Sequence, residues 1–384
     1  MTNKYLLKKL NYLLYKFKNL EKYRKLKLPL SSFSDIKTIP FSTRDDLRDF
    51  NLSDAPVLPF NITATSGSTK SKLIACHSLN CYRVHLKRQI KIYNSIDIKK
   101  GDCCLNLCSY SFNGAAKIME TAFKQMGVTV IPLGEISDEN KLNEAIYIID
   151  KLKPNIINSY VNQVYDIFIK VKQKHNIQKC ILNGEPLVKN FKNLIERISG
   201  AKVYNNYGSM EFSGFAIAQN PKDAYLRLFE DGLFIEVLKE NGKADIVGKG
   251  KIIVTDLTNY SMPFIRYILG DEVDIKLINN KRVIKIFGRG DNYILLHGEV
   301  ESKKAIIETL LRLLGHPNFS LVIYKDRLTY KDKIILNIYA ECKNLMNLKN
   351  IVKKYLPFIT NIRIPHQRIL RTSTGKFRHF VDLR

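Results

Sequence analysis

Residues 251–275 read KIIVTDLTNYSMPFIRYILGDEVDI, and residues 276–300 continue KLINNKRVIKIFGRGDNYILLHGEV. Two strand-like runs, 251–257 and 282–287, flank a polar insert that turns at 259–263. Arg266 is followed shortly by Gly270-Asp271, and Gly288-Arg289-Gly290-Asp291 punctuates the end of the second run. A glycine lets the backbone approach a ligand closely, so Asp271 can present its carboxylate to a sugar diol. An arginine in a Gly-flanked turn, such as Arg289, can reach a ribose or a phosphate. Taken alone, the stretch reads equally as a β-meander with solvated turn charges.

The order Pro263-Phe264-Ile265-Arg266-Tyr267, Gly270-Asp271, Gly288-Arg289-x-Asp291 resembles the adenylate-forming superfamily of acyl ligases, most of all its phenylacetate–coenzyme A ligase-like branch. The resemblance implies that Asp271 holds ribose hydroxyls and that Arg289 and Asp291 sit at a hinge between two domains, Arg289 also on the nucleotide side. Ile268-Leu269 stand where Arg-Thr is usual.

Moving upstream, Thr65-Ser66-Gly67-Ser68-Thr69-Lys70-Ser71-Lys72 is a Ser/Thr/Gly-rich turn. Such a turn supplies the backbone N–H groups and hydroxyls that cradle phosphates; it reads otherwise as a solvated loop. It resembles the superfamily's phosphate loop, with Lys70 in place of a glycine and Lys72 in place of a proline. Gly184-Glu185-Pro186 resembles the turn that walls the adenine. Asn206-Tyr207-Gly208-Ser209-Met210-Glu211 resembles the Tyr-Gly-x-Thr-Glu motif, with Met210 replacing the threonine. Tyr207 offers a ring to stack on a base, and Glu211 a carboxylate for Mg²⁺, which takes few protein oxygens beside those of its phosphates. Near the end, Thr372-Ser373-Thr374-Gly375-Lys376 resembles the last motif of the superfamily. That likeness implies that Lys376 meets the substrate carboxylate and the α-phosphate. The acid itself is expected near Tyr110, Phe112, Asn113 and Gly114. Some members of the branch hold a structural zinc through Cys and His after the motif glutamate; 212–229 has neither residue, so no such zinc is expected.

Working outward to the whole chain, 384 residues suffice for two domains with buried cores. Strand-like runs near 103–108, 128–132, 155–158, 179–182 and 202–204 alternate with helical stretches at 115–126, 138–152, 160–174 and 187–198. That alternation predicts an α/β fold with a mainly parallel sheet covered on both faces, whose ligands bind beyond the carboxyl ends of the strands. Residues 4–26 and 299–314 are predicted helical. The domain boundaries expected are 1–288 for a large N-terminal adenylate-forming domain and 289–384 for a small, mobile α+β C-terminal domain.

No stretch approaches the ~18 apolar residues of a membrane span, and the N-terminal alternation of Leu and Tyr with Lys lacks the apolar run of a signal peptide. Seven cysteines without metal-like spacing suit a reducing cytoplasm. Cys103, Cys104 and Cys108 read as core fillers. The net charge of +26 raises nucleic-acid or anionic-membrane binding. The lysines are scattered, however, with no basic stripe interleaved with aromatics, which argues against nucleic acid. The basic N-terminal helix leaves weak contact with a membrane surface open.

The function expected is therefore ATP- and Mg²⁺-dependent activation of a small carboxylic acid to an acyl-adenylate, followed by transfer to an acceptor, commonly the thiol of coenzyme A or of a carrier. Two alternatives remain open. One is a catalytically weakened nucleotide-binding relative, suggested by Lys70 and Lys72. The other is a basic nucleic-acid- or membrane-surface-binding protein on the same scaffold.

Overall fold

The computed structural model describes residues 3–65, 72–112, 115–171, 174–184, 187, 189–220, 222–289, 293–296, 299–325, 332–339, 345–365 and 379–382. A hairpin of β1 (Asn61–Ala64) and β2 (Ile74–His77) brackets the Ser/Thr/Gly-rich turn. It leads into the helix Leu79–Asn94, which Ser78 caps by accepting from the Cys81 backbone N–H.

Five strands then run parallel: β3 (Cys103–Asn106), β4 (Thr129–Ile131), β5 (Ile156–Tyr160), β6 (Lys179–Asn183) and β7 (Lys202–Ser209), in the spatial order β4-β3-β5-β6-β7. The helices Ala116–Gln125, Glu139–Leu152, Val161–Lys170 and Lys189–Ser199 connect them. All five residues of β5 are buried, as a strand covered on both faces must be.

Beyond β7 the same sheet changes character. The strands β8 (Ser213–Ile217), β9 (Leu226–Leu228), β10 (Leu233–Leu238), β11 (Ala244–Asp245), β12 (Gly248–Asp256), β13 (Tyr267–Ile278) and β14 (Lys281–Arg289) extend it antiparallel in the order β7-β8-β9-β14-β13-β12-β10-β11, giving twelve strands among the described residues. The expectation of a mainly parallel sheet thus holds only from 103 to 209. Residues 213–289 carry no helix to serve as a crossover, and short connections pair strands antiparallel.

In the C-terminal part, β15 (Tyr293–Leu296) pairs with β16 (Glu299–Ser302), and β17 (Phe319–Lys325), β18 (Asp332–Ile338), β19 (Asn361–Arg363) and β20 (Phe380–Asp382) form a four-stranded sheet in the order β19-β18-β17-β20. The helix expected from 299 begins at Lys303. Ser302 is extended and caps it by accepting from the Ala305 N–H, so the preceding residues are free to pair as a strand. The helix Lys303–Leu314 lies against Lys189–Ser199, and Asn190 Nδ2 donates to the Glu308 carbonyl at 3.3 Å. Ile306, Leu310 and Phe319 thereby join one apolar cluster with Val164, Phe191 and Ile195.

The predicted helix over 4–26 is also shorter, Asn3–Lys16, with a separate turn at Glu21–Arg24. An unbroken helix would point Tyr23 on the order of 120° away from the face carrying Leu6, Leu10 and Leu13. The break returns Tyr23 to the core, where its hydroxyl lies 3.2 Å from Ser42 Oγ. The apolar face packs with Phe33, Ile36, Leu257 and Ile265, so it is covered by the chain itself. No helix among the described residues is long and apolar enough to cross a membrane.

Candidate active site

The carboxyl ends of the parallel strands are tied together by side chains. Asn158 Nδ2 donates to Asn106 Oδ1 at 3.0 Å, Asn183 Nδ2 to Asn158 Oδ1 at 2.9 Å, and Asn206 Nδ2 to Asn183 Oδ1 at 2.8 Å. All four asparagines are buried, and the row crosses β3, β5, β6 and β7. Buried amides in such a row must find partners, and here they fix the rim on which the loops stand. Asn106 also donates to the Tyr110 hydroxyl, turning that ring toward the strand ends.

At the end of β7 the ladder with β8 slips between Tyr207 and Gly208. A bulge there re-aims side chains. Gly208 is required by contact: a Cβ would lie 2.2 Å from the Ser213 carbonyl oxygen. The irregularity places the Tyr207 hydroxyl 2.8 Å from Asp271 Oδ2, to which it donates across 64 residues of sequence. Asp271 stands opposite Arg289 in the β13–β14 ladder, and a second register shift follows immediately at Glu272/Val273. Gly270, within β13, takes φ +94°, a conformation that favours glycine. Tyr207, Asp271 and the backbone of Arg289 are thus gathered at one edge.

Glu211 lies in the turn after β7 and is 4% exposed. The Tyr267 hydroxyl donates to its Oε1 at 3.3 Å, and among the described residues no cation pairs with it. A buried carboxylate without a cationic neighbour, beside the entrance of a phosphate-type loop, fits the role of one oxygen ligand to a Mg²⁺ bound mainly through phosphate. On the other side of the same turn, the Thr63 hydroxyl donates to the Met210 carbonyl at 3.2 Å.

Thr65 opens the phosphate-type loop. Its N–H donates to the Leu73 carbonyl, and its hydroxyl accepts from Leu73 N–H at 3.0 Å and from Arg44 Nη2 at 2.5 Å. Arg44 was legible only as the first residue of the capped helix Arg44–Arg48; no motif marked it as a cation at the foot of this loop. The Ala64 N–H donates to the Phe112 carbonyl at 3.1 Å, which docks the 109–112 loop on the hairpin. Between them lies a cavity of about 100 Å³, lined by Ile62, Thr63, Phe112, Ile118, Ser209 and Met210 among others. Phe112 and Ser209 were expected at the site; Tyr110 stands behind the cavity wall, bonded to Asn106. Gly184 follows β6 at φ +77° on the same rim. Ser66, Gly67, Ser68, Thr69, Lys70, Asn113, Gly114, Glu185, Pro186, Asp291 and Lys376 lie outside the described residues.

Sequence reasoning also missed a buried group against this cavity. His77 closes β2, while Cys81 and His85 lie one turn apart on the helix Leu79–Asn94. Burial pushes the His77 imidazole down to about 3, with charge on His85 adding to the effect. Burial, then the Arg88 guanidinium, lowers His85 as well, against the Asp256 carboxylate that raises it. The spacing His-x₃-Cys-x₃-His was a visible signal, though the preceding strand ends at the first histidine and hides the periodicity.

No protein-family model matches the chain. It is 22% identical over 314 residues to the phenylacetate–coenzyme A ligase of Thermus thermophilus, covering 76% of this chain and 69% of that protein. It is 24% identical over 290 residues to the enzyme of the same name from Aromatoleum evansii, covering 70% of this chain and 64% of that one. The chain therefore spans about two-thirds of the length of these relatives. The chain is thus similar, at 22–24% identity, to two phenylacetate–coenzyme A ligases. Among solved ligases of this fold, a 2-hydroxyisobutyryl-CoA ligase in its post-adenylation state superposes with a TM-score of 0.81 at 17% identity, covering 100% of this chain and 90% of that one. The same ligase in its thioesterification state gives 0.67 at 18% identity, covering 99% and 89%. The superposition is thus closer with the first of these two structures than with the second.

Proposed function

We propose that the chain activates a small carboxylic acid with ATP and passes the acyl group to a thiol, that of coenzyme A. The observation that carries this is the convergence of Tyr207, Asp271, Glu211 and Thr65 from three separated segments onto the carboxyl rim of the sheet. In the first step a carboxylate oxygen of the acid attacks the α-phosphorus, and pyrophosphate leaves. In the second the thiol sulfur attacks the acyl carbon, AMP leaves and the thiol proton passes to solvent.

The protein's task in such a transfer is alignment and charge stabilisation. Asp271, oriented by the Tyr207 hydroxyl, accepts from the ribose diol. The Tyr207 ring and the 184–186 turn flank the base. Residues 65–70, with Arg44 behind Thr65, hold the β- and γ-phosphates. Mg²⁺ on Glu211 would supply neutralising charge to those phosphates. Lys376 meets the carboxylate and the α-phosphate. The acid lies in the cavity beside Phe112.

The two bodies proposed are 1–288 and 289–384, rotating at Arg289–Asp291 between the half-reactions, a hinge-type switch. The higher likeness to a post-adenylation state supports reading the present arrangement as the one that serves the first half-reaction.

The competing reading, a nucleotide-binding relative without turnover, draws on Lys70 and Lys72 at positions where the superfamily carries Gly and Pro. Exchange of labelled pyrophosphate into ATP across a panel of aliphatic and aromatic acids separates the two. Acid-dependent exchange supports activation; tight ATP binding with no exchange for any acid overturns it.

A further inference from the structure

We propose that His77, Cys81 and His85 form a binding site for a zinc-class divalent ion, with Asp256 as the carboxylate that holds His85. The three ligand-bearing side chains are buried, and one atom from each falls within 4.8 Å of the others. Tetrahedral bonds of about 2.0–2.3 Å put neighbouring ligand atoms roughly 3.3–3.7 Å apart. Cys81 Sγ lies 3.7 Å from His77 Nδ1 and 3.9 Å from His85 Nδ1. The two sulfur–nitrogen edges are within a few tenths of an ångström of that spacing, and the trio as a whole, within 4.8 Å, closes onto an ion by contraction.

The surrounding hydrogen bonds assign the same ring nitrogen to the ion in both histidines. His77 Nε2 lies 3.2 Å from Thr63 Oγ1, whose hydroxyl is committed to the Met210 carbonyl. The imidazole must therefore donate from Nε2, which leaves the Nδ1 lone pair facing Cys81. His85 Nε2 lies 2.9 Å from Asp256 Oδ2 and donates to it; Cys81 Sγ lies 3.3 Å from that Nε2 and 3.9 Å from Nδ1, so the ring must turn for its Nδ1 lone pair to join the thiol at an ion. The Asp256 carboxylate is itself fixed, since Oδ1 accepts from Thr258 N–H at 2.8 Å and from the Thr258 hydroxyl at 2.6 Å. A carboxylate locked behind a histidine in this way is the usual outer partner of a metal-binding imidazole.

Without an ion, the thiol of Cys81 lies 3.7 Å from His77 Nδ1 and 3.3 Å from Asp256 Oδ2, and Ser213 Oγ lies 3.4 Å from His85 Nδ1. A cation in place of the thiol proton satisfies the sulfur and both rings together. The Cys-His₂ donor set suits zinc or cobalt rather than magnesium. His77 and His85 also line the cavity beside Phe112, so the ion has an entry path and a fourth position open to a water.

This site is separate from the Mg²⁺ role of Glu211 and from the zinc position sought in 212–229. Nothing in it depends on the ligase reading.

The untagged full chain, stripped with chelator and dialysed, is titrated with Co²⁺ and separately with Zn²⁺. One equivalent per chain is expected, with the visible bands of tetrahedral cobalt and a thiolate-to-cobalt charge-transfer band. Cys81→Ser should abolish the charge-transfer band, whereas Cys103→Ser should retain it. Asp256→Asn should weaken zinc affinity by about 10- to 100-fold, the usual effect of losing an outer carboxylate. Thermal unfolding of the wild-type chain should rise with added zinc. Failure of the wild-type chain to take up cobalt with a thiolate band overturns the proposal, even where Cys81→Ser does not fold. A band that survives unchanged in folded Cys81→Ser overturns it as well.

Discussion

Arg266 and Asp271 are near neighbours on one stretch of chain, yet they have opposite fates. Arg266 is 3% exposed and its guanidinium is fully engaged. It makes two bonds to Glu236, at 3.1 and 3.2 Å, donates to the carbonyls of Ile39 and Lys37, and lies over the Phe41 ring. Its backbone takes φ +47°, a conformation that a non-glycine residue holds only when its surroundings impose it. Asp271 is half-buried on β13 and accepts from the hydroxyl of Tyr207, itself part of the proposed site. The comparison teaches that a motif mixes two kinds of residue. One kind is saturated by the protein and builds the loop; the other is oriented by the protein at the proposed ligand site.

Four substitutions test that distinction, from the largest effect to the smallest. Arg266→Ala should remove about 3–5 kcal/mol of stability, because it strands a buried Glu236 carboxylate. Denaturant unfolding measures this, and a loss confined to activity in a fully stable protein would place Arg266 with the ligand-facing kind. Lys376→Ala should slow adenylation by on the order of 10²–10³, the effect of removing one charge-stabilising donor. Transfer from supplied acyl-adenylate should suffer much less. Equal loss in both half-reactions would make Lys376 structural.

Asp271→Ala should weaken ATP binding by roughly 1.5–3 kcal/mol, as for hydrogen bonds to a charged group, with unfolding little changed. Calorimetry that finds unaltered affinity would remove Asp271 from the ribose site. Tyr207→Phe should weaken ATP binding by only about 0.5–1.5 kcal/mol, since it loses orientation of Asp271 rather than the acceptor itself. In the double variant the two effects should not add, because the residues touch. Full additivity would show that the Tyr207–Asp271 bond is idle in binding.

Lys70 offers a separate comparison between charge and erosion. If Lys70 contributes to binding pyrophosphate, Lys70→Gly weakens ATP affinity most at low salt, where exposed charges are least screened. Stronger binding by the glycine form at either salt concentration would reject that role.

How much of this was legible in the sequence depends on how local each signal is. The alternation of strands and helices from 103 to 209 is carried by short-range periodicity, and those elements lie within a few residues of their expected positions. The motif residues Tyr207, Gly208, Glu211, Gly270 and Asp271 were also readable, since each belongs to a short run whose residue types carry the signal, although all but Glu211 lie within strands. The helix over 4–26 failed at Lys16 because burial of Tyr23 outweighs continuity of the helix, and that is a tertiary demand. The start of the last long helix shifted from 299 to Lys303 because β15 lies close enough to pair with Glu299–Ser302.

By itself, then, the sequence determined the α/β alternation, the order of the motifs and the chemistry each turn could offer. These follow from residue types at short spacing. Tertiary structure alone decided which polar groups meet. It set Tyr207 against Asp271, Arg44 behind Thr65, four asparagines in a row across the strand ends, and Asp256 behind His85 and Cys81. Partners such as Tyr207 and Asp271, 64 residues apart, leave no periodic trace in a single chain. The sheet must bring their strands together before distance, burial and hydrogen bonding can assign them a role.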